Sequence, residues 1–148
     1  MKDLLPADIP EDFTRAKNRN HTGHLHPIPD NLHFSYGTAG FRQDADVLTF
    51  VVFRMGCLAG LRARELNQTV GVMITASHNP ASDNGVKIVD PMGEMLATSW
   101  EIYASELVNT SDEQLPTSLR DLEVQVSSLD YSSLVITICV FHSLVWRL

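Results

Sequence analysis

Two β-branched runs, "TVGVMITAS" over residues 69–77 and "GVKIVD" over residues 85–90, flank one polar loop that holds Pro80 and the turn pair Asn84-Gly85. Runs of this type and length form strands, and the punctuation between them makes the two strands close neighbours. Just upstream, apolar residues recur at helical spacing from Val47 to Asn67: Leu48, Val51, Val52, Met55, Leu58, Ala59 and Leu66. That stripe predicts a helix, with Asp44 or Asp46 available as its cap, and Phe50, Phe53 and Met55 on it read as core packing.

Around this centre the chain is less regular. Thr98-Ser99-Trp100-Glu101 is a capping-box pattern that predicts a second helix, about Ser99 to Val108, with Gly93 making the turn into it. A short third helix is expected around Ser118 to Val124. Residues 1–35, rich in Pro, Asn, His and charge, predict an extended arm or loop leading into the domain. His21, His24, His26 and His33 lie there with no cysteine nearby, which favours a solvated loop over a metal site. "SYGTAGFR", residues 35–42, places Gly37 and Gly40 in a turn whose backbone can approach a ligand closely.

Composition sets the function classes. A length of 148 residues bounds the chain to one domain or part of one, and its net charge of −7 with no Lys/Arg block excludes a sequence-independent grip on nucleic acid or an anionic membrane. A phosphate ligand would have to be met by local cations. No stretch has the uncharged length of a membrane-spanning helix, and the N-terminus lacks the apolar core of a secretory signal. Cys57 and Cys139 are too few for a zinc site or a disulfide framework, which points to a reducing compartment, the cytoplasm. The Asn-x-Ser/Thr sequences at Asn20, Asn67 and Asn109 are accordingly read as chance matches.

The chemistry lies in the loop "ITASHNP", residues 74–80, where Ser77 follows a strand. A hydrolase with Ser77 as nucleophile and His78 as base is disfavoured. The G-x-S-x-G elbow is absent, and adjacent residues leaving a strand point to opposite sides. A phosphoryl carrier is the other reading. It needs cations around the transferring oxygens, and Arg42 and Lys87 supply positive charge while His78 and Asn79 supply hydrogen bonds. Each has a plain alternative: a surface arginine, a solvent-facing strand lysine, a loop-capping histidine. Their coincidence favours the carrier.

Three segments in order, "YGTAGFR", "ITASHNPASDNGVKIVD" and "PMGEML", resemble the N-terminal domain of the α-D-phosphohexomutases, and within it the branch acting on N-acetylglucosamine phosphate. The resemblance runs from about Tyr36 to Val108 and implies a mixed-sheet α/β domain, here incomplete. It implies that Ser77 is the phosphoserine, passing its phosphoryl group between O6 and O1 of the sugar through a bisphosphate, with a phosphate oxygen as one ligand of Mg²⁺. Arg42, Lys87 and His78 would complete the catalytic set. Thr38, Gly40 and Asn79 would bind phosphate, and an amino-sugar phosphate would be the partner, on the route to UDP-N-acetylglucosamine. The organisation expected is an arm over 1–35, a partial first domain over 36–136 and an apolar tail over 137–148. Because the D-x-D-x-D-R metal loop and the later sugar and phosphate loops of that family are not found, the chain alone is expected to be inactive. A non-catalytic fragment with an interaction role, or none, is the alternative.

Overall fold

The computed structural model describes residues 9–74, 79–126 and 139–142, the last of these by backbone alone. A mixed four-stranded sheet is built from β1 (Phe41–Asp44), β2 (Gly71–Ile74), β3 (Asp83–Val89) and β4 (Cys139–His142) in the order β1-β3-β2-β4. The first three run antiparallel to their neighbours and β4 joins β2 in parallel, with Gly71 opposite Cys139. Helices α1 (Thr49–Leu66), α2 (Thr98–Asn109) and α3 (Leu115–Val126) pack with one another around a single core. This is the mixed-sheet α/β domain that the family resemblance implies. Strand β4 falls inside the 137–148 tail.

Directly opposite residues in an antiparallel pair share a face of the sheet. Phe41 pairs with Val86, Ile74 with Val86, and Val72 with Ile88, so these side chains form the core face, where Phe41, Val72, Val86 and Ile88 are buried. Arg42 opposite Gly85, Asp44 opposite Asp83, and Met73 opposite Lys87 take the other face. The pleat alone therefore puts both candidate cations on one side and the core on the other.

The N-terminal segment, expected as an extended arm or loop, packs into the core. Ile28, Phe34 and Tyr36 are buried in the core, and Asn18 is fully buried. Its Oδ1 accepts from the Phe50 N–H at 3.1 Å, while its Nδ2 donates to the carbonyls of His26 and Asp46 at 3.0 Å each. Helix α1 has no side-chain cap of its own, since Asp44 instead caps the short 3-10 turn Ala45–Val47, and Asn18 satisfies an orphan donor of α1 from far upstream. Asn109 holds the arm's other end, accepting from the Phe34 N–H at 2.9 Å and donating to the Phe34 carbonyl at 2.7 Å.

Arg54 on α1 is fully buried, and Nη1 donates to the carbonyls of Leu107, Val108 and Thr110 at 2.7, 3.1 and 2.6 Å. These are the carbonyls that the carboxyl end of α2 leaves without helical partners, where a cation also meets the negative end of the helix dipole. Nη2 pairs with Asp112 at 2.7 Å, and the guanidinium lies 5.1 Å from the centre of the Phe50 ring. Burial lowers its pKa to about 10, against the pull of Asp112, so it remains a cation at neutral pH.

Two further expectations change. The capping box of α2 does not form: Ala97 stands at the cap without a side-chain bond, and its N–H goes to Asp90 at 3.2 Å. Asp90 is itself clamped by Arg62 of α1, whose guanidinium lies 5.1 Å from the Trp100 ring centre, so tertiary contacts place this helix start. The third helix is longer than expected, because Leu115, Leu119, Leu122 and Val126 form one buried stripe from its first residue to its last. Gly93 does make the turn ahead of α2, at φ +88° with its N–H on the Asp90 carbonyl. Among the described residues, no helix is long and apolar enough to cross a membrane.

Arg54→Met keeps the stem but removes a buried donor from Asp112 and three carbonyls, and should lower unfolding free energy by about 3–5 kcal/mol in a urea titration. A loss under ~1 kcal/mol would refute this role. Burial raises the Cys57 thiol from 9.0 to about 11. The folded state therefore favours the neutral thiol, and the associated stability is complete below pH 9 and lost as pH rises through about 11. At pH 8 alkylation of Cys57, followed on its own peptide, should run ~100-fold slower than for an unperturbed thiol. An equal rate would contradict the shift.

Candidate active site

The glycine turn, the Asn79-Pro80 stem of the serine loop and the lysine strand lie at one end of the sheet. Gly40 sits at φ +72° just before β1, with its N–H on the Gly37 carbonyl at 2.8 Å. A Cβ at Gly40 would lie 2.3 Å from the Val86 carbonyl oxygen and 2.6 Å from Lys87 Cβ. The "GTAG" turn is thus pressed onto the backbone of β3 at Lys87, and only glycine permits both the left-handed conformation and the approach. Thr38, in the same turn, is exposed.

Tyr36 finishes this junction. Where β1 leaves the sheet at Gly40, the Tyr36 hydroxyl accepts from the Ile88 N–H at 2.9 Å, standing in for a strand partner. Its backbone N–H donates to Ser105 Oγ of α2 at 3.0 Å, and its ring meets Phe41 edge-on at 5.1 Å. Burial pushes the hydroxyl pKa above its ordinary value, which keeps it protonated at neutral pH. Lys87 is consequently held between the Gly40 turn before it and the Tyr36 bond after it.

Arg42 is exposed on β1, and its Nη1 donates to Asn79 Oδ1 at 2.7 Å. Asn79 Nδ2 donates in turn to Asp83 Oδ2 at 3.1 Å, and the Asp83 N–H closes a turn onto the Pro80 carbonyl at 3.0 Å. The C-terminal stem of the serine loop is thereby tied to the strand that carries Arg42. Ser77 and His78 lie outside the described residues. Of the remaining predicted residues, the structure brings Arg42 to Asn79 and Gly40 to Lys87.

Two positions escaped sequence reasoning: Asp83, quoted in its motif without a role, and Tyr36. Asp83 carried a signal, since an aspartate three residues after Pro80 and ahead of Asn84-Gly85 is turn chemistry. The bond from Tyr36 is tertiary and left none.

Residues 37–114 match the family model for the phosphoglucomutase/phosphomannomutase α/β/α domain I. The chain belongs to the phosphoglucomutase/phosphomannomutase family. Within the family it is 57% identical over 94 residues to phosphoacetylglucosamine mutase of Sus scrofa, covering 64% of this chain and 17% of that protein. Among solved structures it superposes on an N-acetylglucosamine-phosphate mutase of the α-D-phosphohexomutase superfamily in its substrate complex. The TM-score is 0.68 at 48% identity, over 78% of this chain and 22% of that one. An Aspergillus fumigatus N-acetylphosphoglucosamine mutase in complex with GlcNAc-6P and magnesium gives 0.55 at 34% identity, over 77% of this chain and 26% of that one. The chain thus spans between 17% and 26% of the length of these relatives.

Gly40→Ala should cost at least ~2 kcal/mol of stability, from left-handed strain plus overlap with β3, as read by chemical denaturation. A cost below ~0.5 kcal/mol would show that the turn does not press on Lys87.

Proposed function

We propose that this domain is the phosphoryl-carrying part of a phosphoacetylglucosamine mutase, with Ser77 passing a phosphoryl group between O6 and O1 of N-acetylglucosamine. The observation that supports it best is the 2.7 Å bond from Arg42 to Asn79, which puts a cation from one motif at the stem of another motif's serine loop. In the forward step the bond from phosphorus to Ser77 Oγ breaks as a bond to the sugar oxygen forms, giving a bisphosphate, and the sugar hydroxyl proton ends on the serine oxygen. Transfer from the bisphosphate's other phosphate back to Ser77 then releases the isomer. Charge in such a transfer spreads over three equatorial oxygens, and Arg42 and Lys87 are the cations this chain brings to them. Thr38, His78 and Asn79 would bind oxygens and shape the loop, while Gly40, its N–H already on the Gly37 carbonyl, lets the turn approach them closely.

Mg²⁺ fits the described residues poorly. Among them no group of three or more His, Cys, Asp or Glu comes together. Asp44 and Asp83 face each other across β1 and β3, yet Asp44 accepts from the Asp46 N–H and Asp83 from Asn79 and Ser82. The reading leaves the phosphate of Ser77 as the ligand this chain would offer, assigns these residues the carrier role alone, and expects no turnover from the chain by itself. A sugar 1-phosphate is the form a nucleotidyl transfer consumes, which accords with cytoplasmic UDP-N-acetylglucosamine synthesis.

Phosphopeptide mass spectrometry of the chain from cells should find phosphate on Ser77. In an active protein containing these residues, Ser77→Ala should lower kcat more than ~10³-fold. An unphosphorylated Ser77, or turnover near the unmutated rate, would remove the carrier role.

A further inference from the structure

Arg42 and Asp83 carry opposite charges on the same face of adjacent strands, and they do not meet. Asn79 stands between them, its Oδ1 accepting from Arg42 at 2.7 Å and its Nδ2 donating to Asp83 at 3.1 Å. A guanidinium can only donate and an ionised carboxylate can only accept, so this pair of neighbours dictates which way the amide points. The carboxylate is fixed in its own right. Ser82 Oγ donates to Asp83 Oδ1 at 3.3 Å, the Asp83 N–H is on the Pro80 carbonyl, and the Ser82 carbonyl accepts from the Ala45 N–H at 2.9 Å. Opposite Arg42 in the sheet is Gly85, which has no side chain to obstruct the guanidinium.

A direct Arg42–Asp83 pair would anchor the cation equally well and would neutralise it. The interposed amide anchors it without supplying a counter-charge, and among the described residues Arg42 has no ion pair. We propose that Asp83 is a positioning residue for the serine loop: through Asn79 it holds the Arg42 guanidinium at the loop's stem while leaving its charge available to a phosphate group. This rests on the carrier reading of Ser77 and adds how that reading's cation is presented.

The test uses the ¹⁵N-labelled chain, with the Asn79 side-chain amide and the Arg42 Nε–H followed by NMR and inorganic phosphate as the probe. In Asp83→Asn, which replaces an obligate ionised acceptor with a neutral amide, both signals should move, and half-saturation of the phosphate response at Arg42 should need roughly 3- to 10-fold more phosphate, the equivalent of the charge assistance in one hydrogen bond. Asp83→Glu, which keeps the carboxylate, should restore most of that response. Asn79→Asp places a carboxylate on Arg42 and should abolish it. A merely structural Asp83 would lower the melting temperature and leave the phosphate response of the folded fraction alone. Unchanged Asn79 and Arg42 signals in Asp83→Asn, or an unchanged phosphate response, would overturn the proposal. If the unmutated chain ignores phosphate while Asp83→Asn still moves both signals, Asp83 positions Arg42 without leaving its charge available, which also overturns the proposal, and phosphate found on Ser77 in cells would keep the carrier reading standing apart from it.

Discussion

The Arg54 guanidinium lies between α1 and the carboxyl end of α2 with no exposure to water, a place where an uncompensated cation would cost several kcal/mol. Three carbonyls, the Asp112 carboxylate and the face of Phe50 converge on it, and Nε alone is left without a partner among the described residues. Asp112 also accepts from the backbone N–H of Arg15 at 2.9 Å through both oxygens. The Arg15 side chain reaches the carbonyls of Val108, Pro29 and Leu32. One buried charge thus joins α1, α2, the turn into α3 and the N-terminal segment. Removing any of these would leave the others with unpaired polar groups.

That frame determines where the site can be. With the helices joined to each other through α1, the strands present alternate residues to the core, and the pleat turns Arg42, Asp83 and Lys87 to the other face. Fine placement then comes from backbone contacts rather than from the cations themselves: Gly40 against Val86 and Lys87, and the Tyr36 hydroxyl on Ile88. The lysine inherits its position from the glycine turn, so two motifs far apart in sequence behave as one piece of structure.

Much of this was readable from the chain, for reasons that can be named. Helix α1 shows through its periodicity, and the site motifs show because each is contiguous. Strand β1 was hidden because Phe-Arg-Gln-Asp is four residues long and mostly polar, so only its partner β3 makes it a strand. Asn18 as a cap for α1 was hidden because capping rules look at adjacent residues, whereas the donor here is met across 32 positions. The box at Thr98 failed for the converse reason: the Asp90 carboxylate, held by Arg62, takes the Ala97 N–H just ahead of the helix. Arg54 left a trace, for it stands three residues after Val51 and four before Leu58, inside an apolar stripe. An arginine there either breaks the helix's packing or has a buried acceptor waiting.

The Asn84-Gly85 pair, a turn signal in the sequence that lies inside β3 in the structure, has a consequence for how the domain ages. Asn-Gly is the peptide linkage most prone to succinimide formation, in which the glycine nitrogen attacks the asparagine side chain. Here the Gly85 N–H donates to Asn84 Oδ1 at 2.9 Å, inside the strand that leads to Lys87. Opening of the ring the other way would lengthen the backbone by one carbon and disturb the alternation of every residue after it. The lysine that the glycine turn and the tyrosine hold in place sits three residues downstream of the chain's most perishable bond.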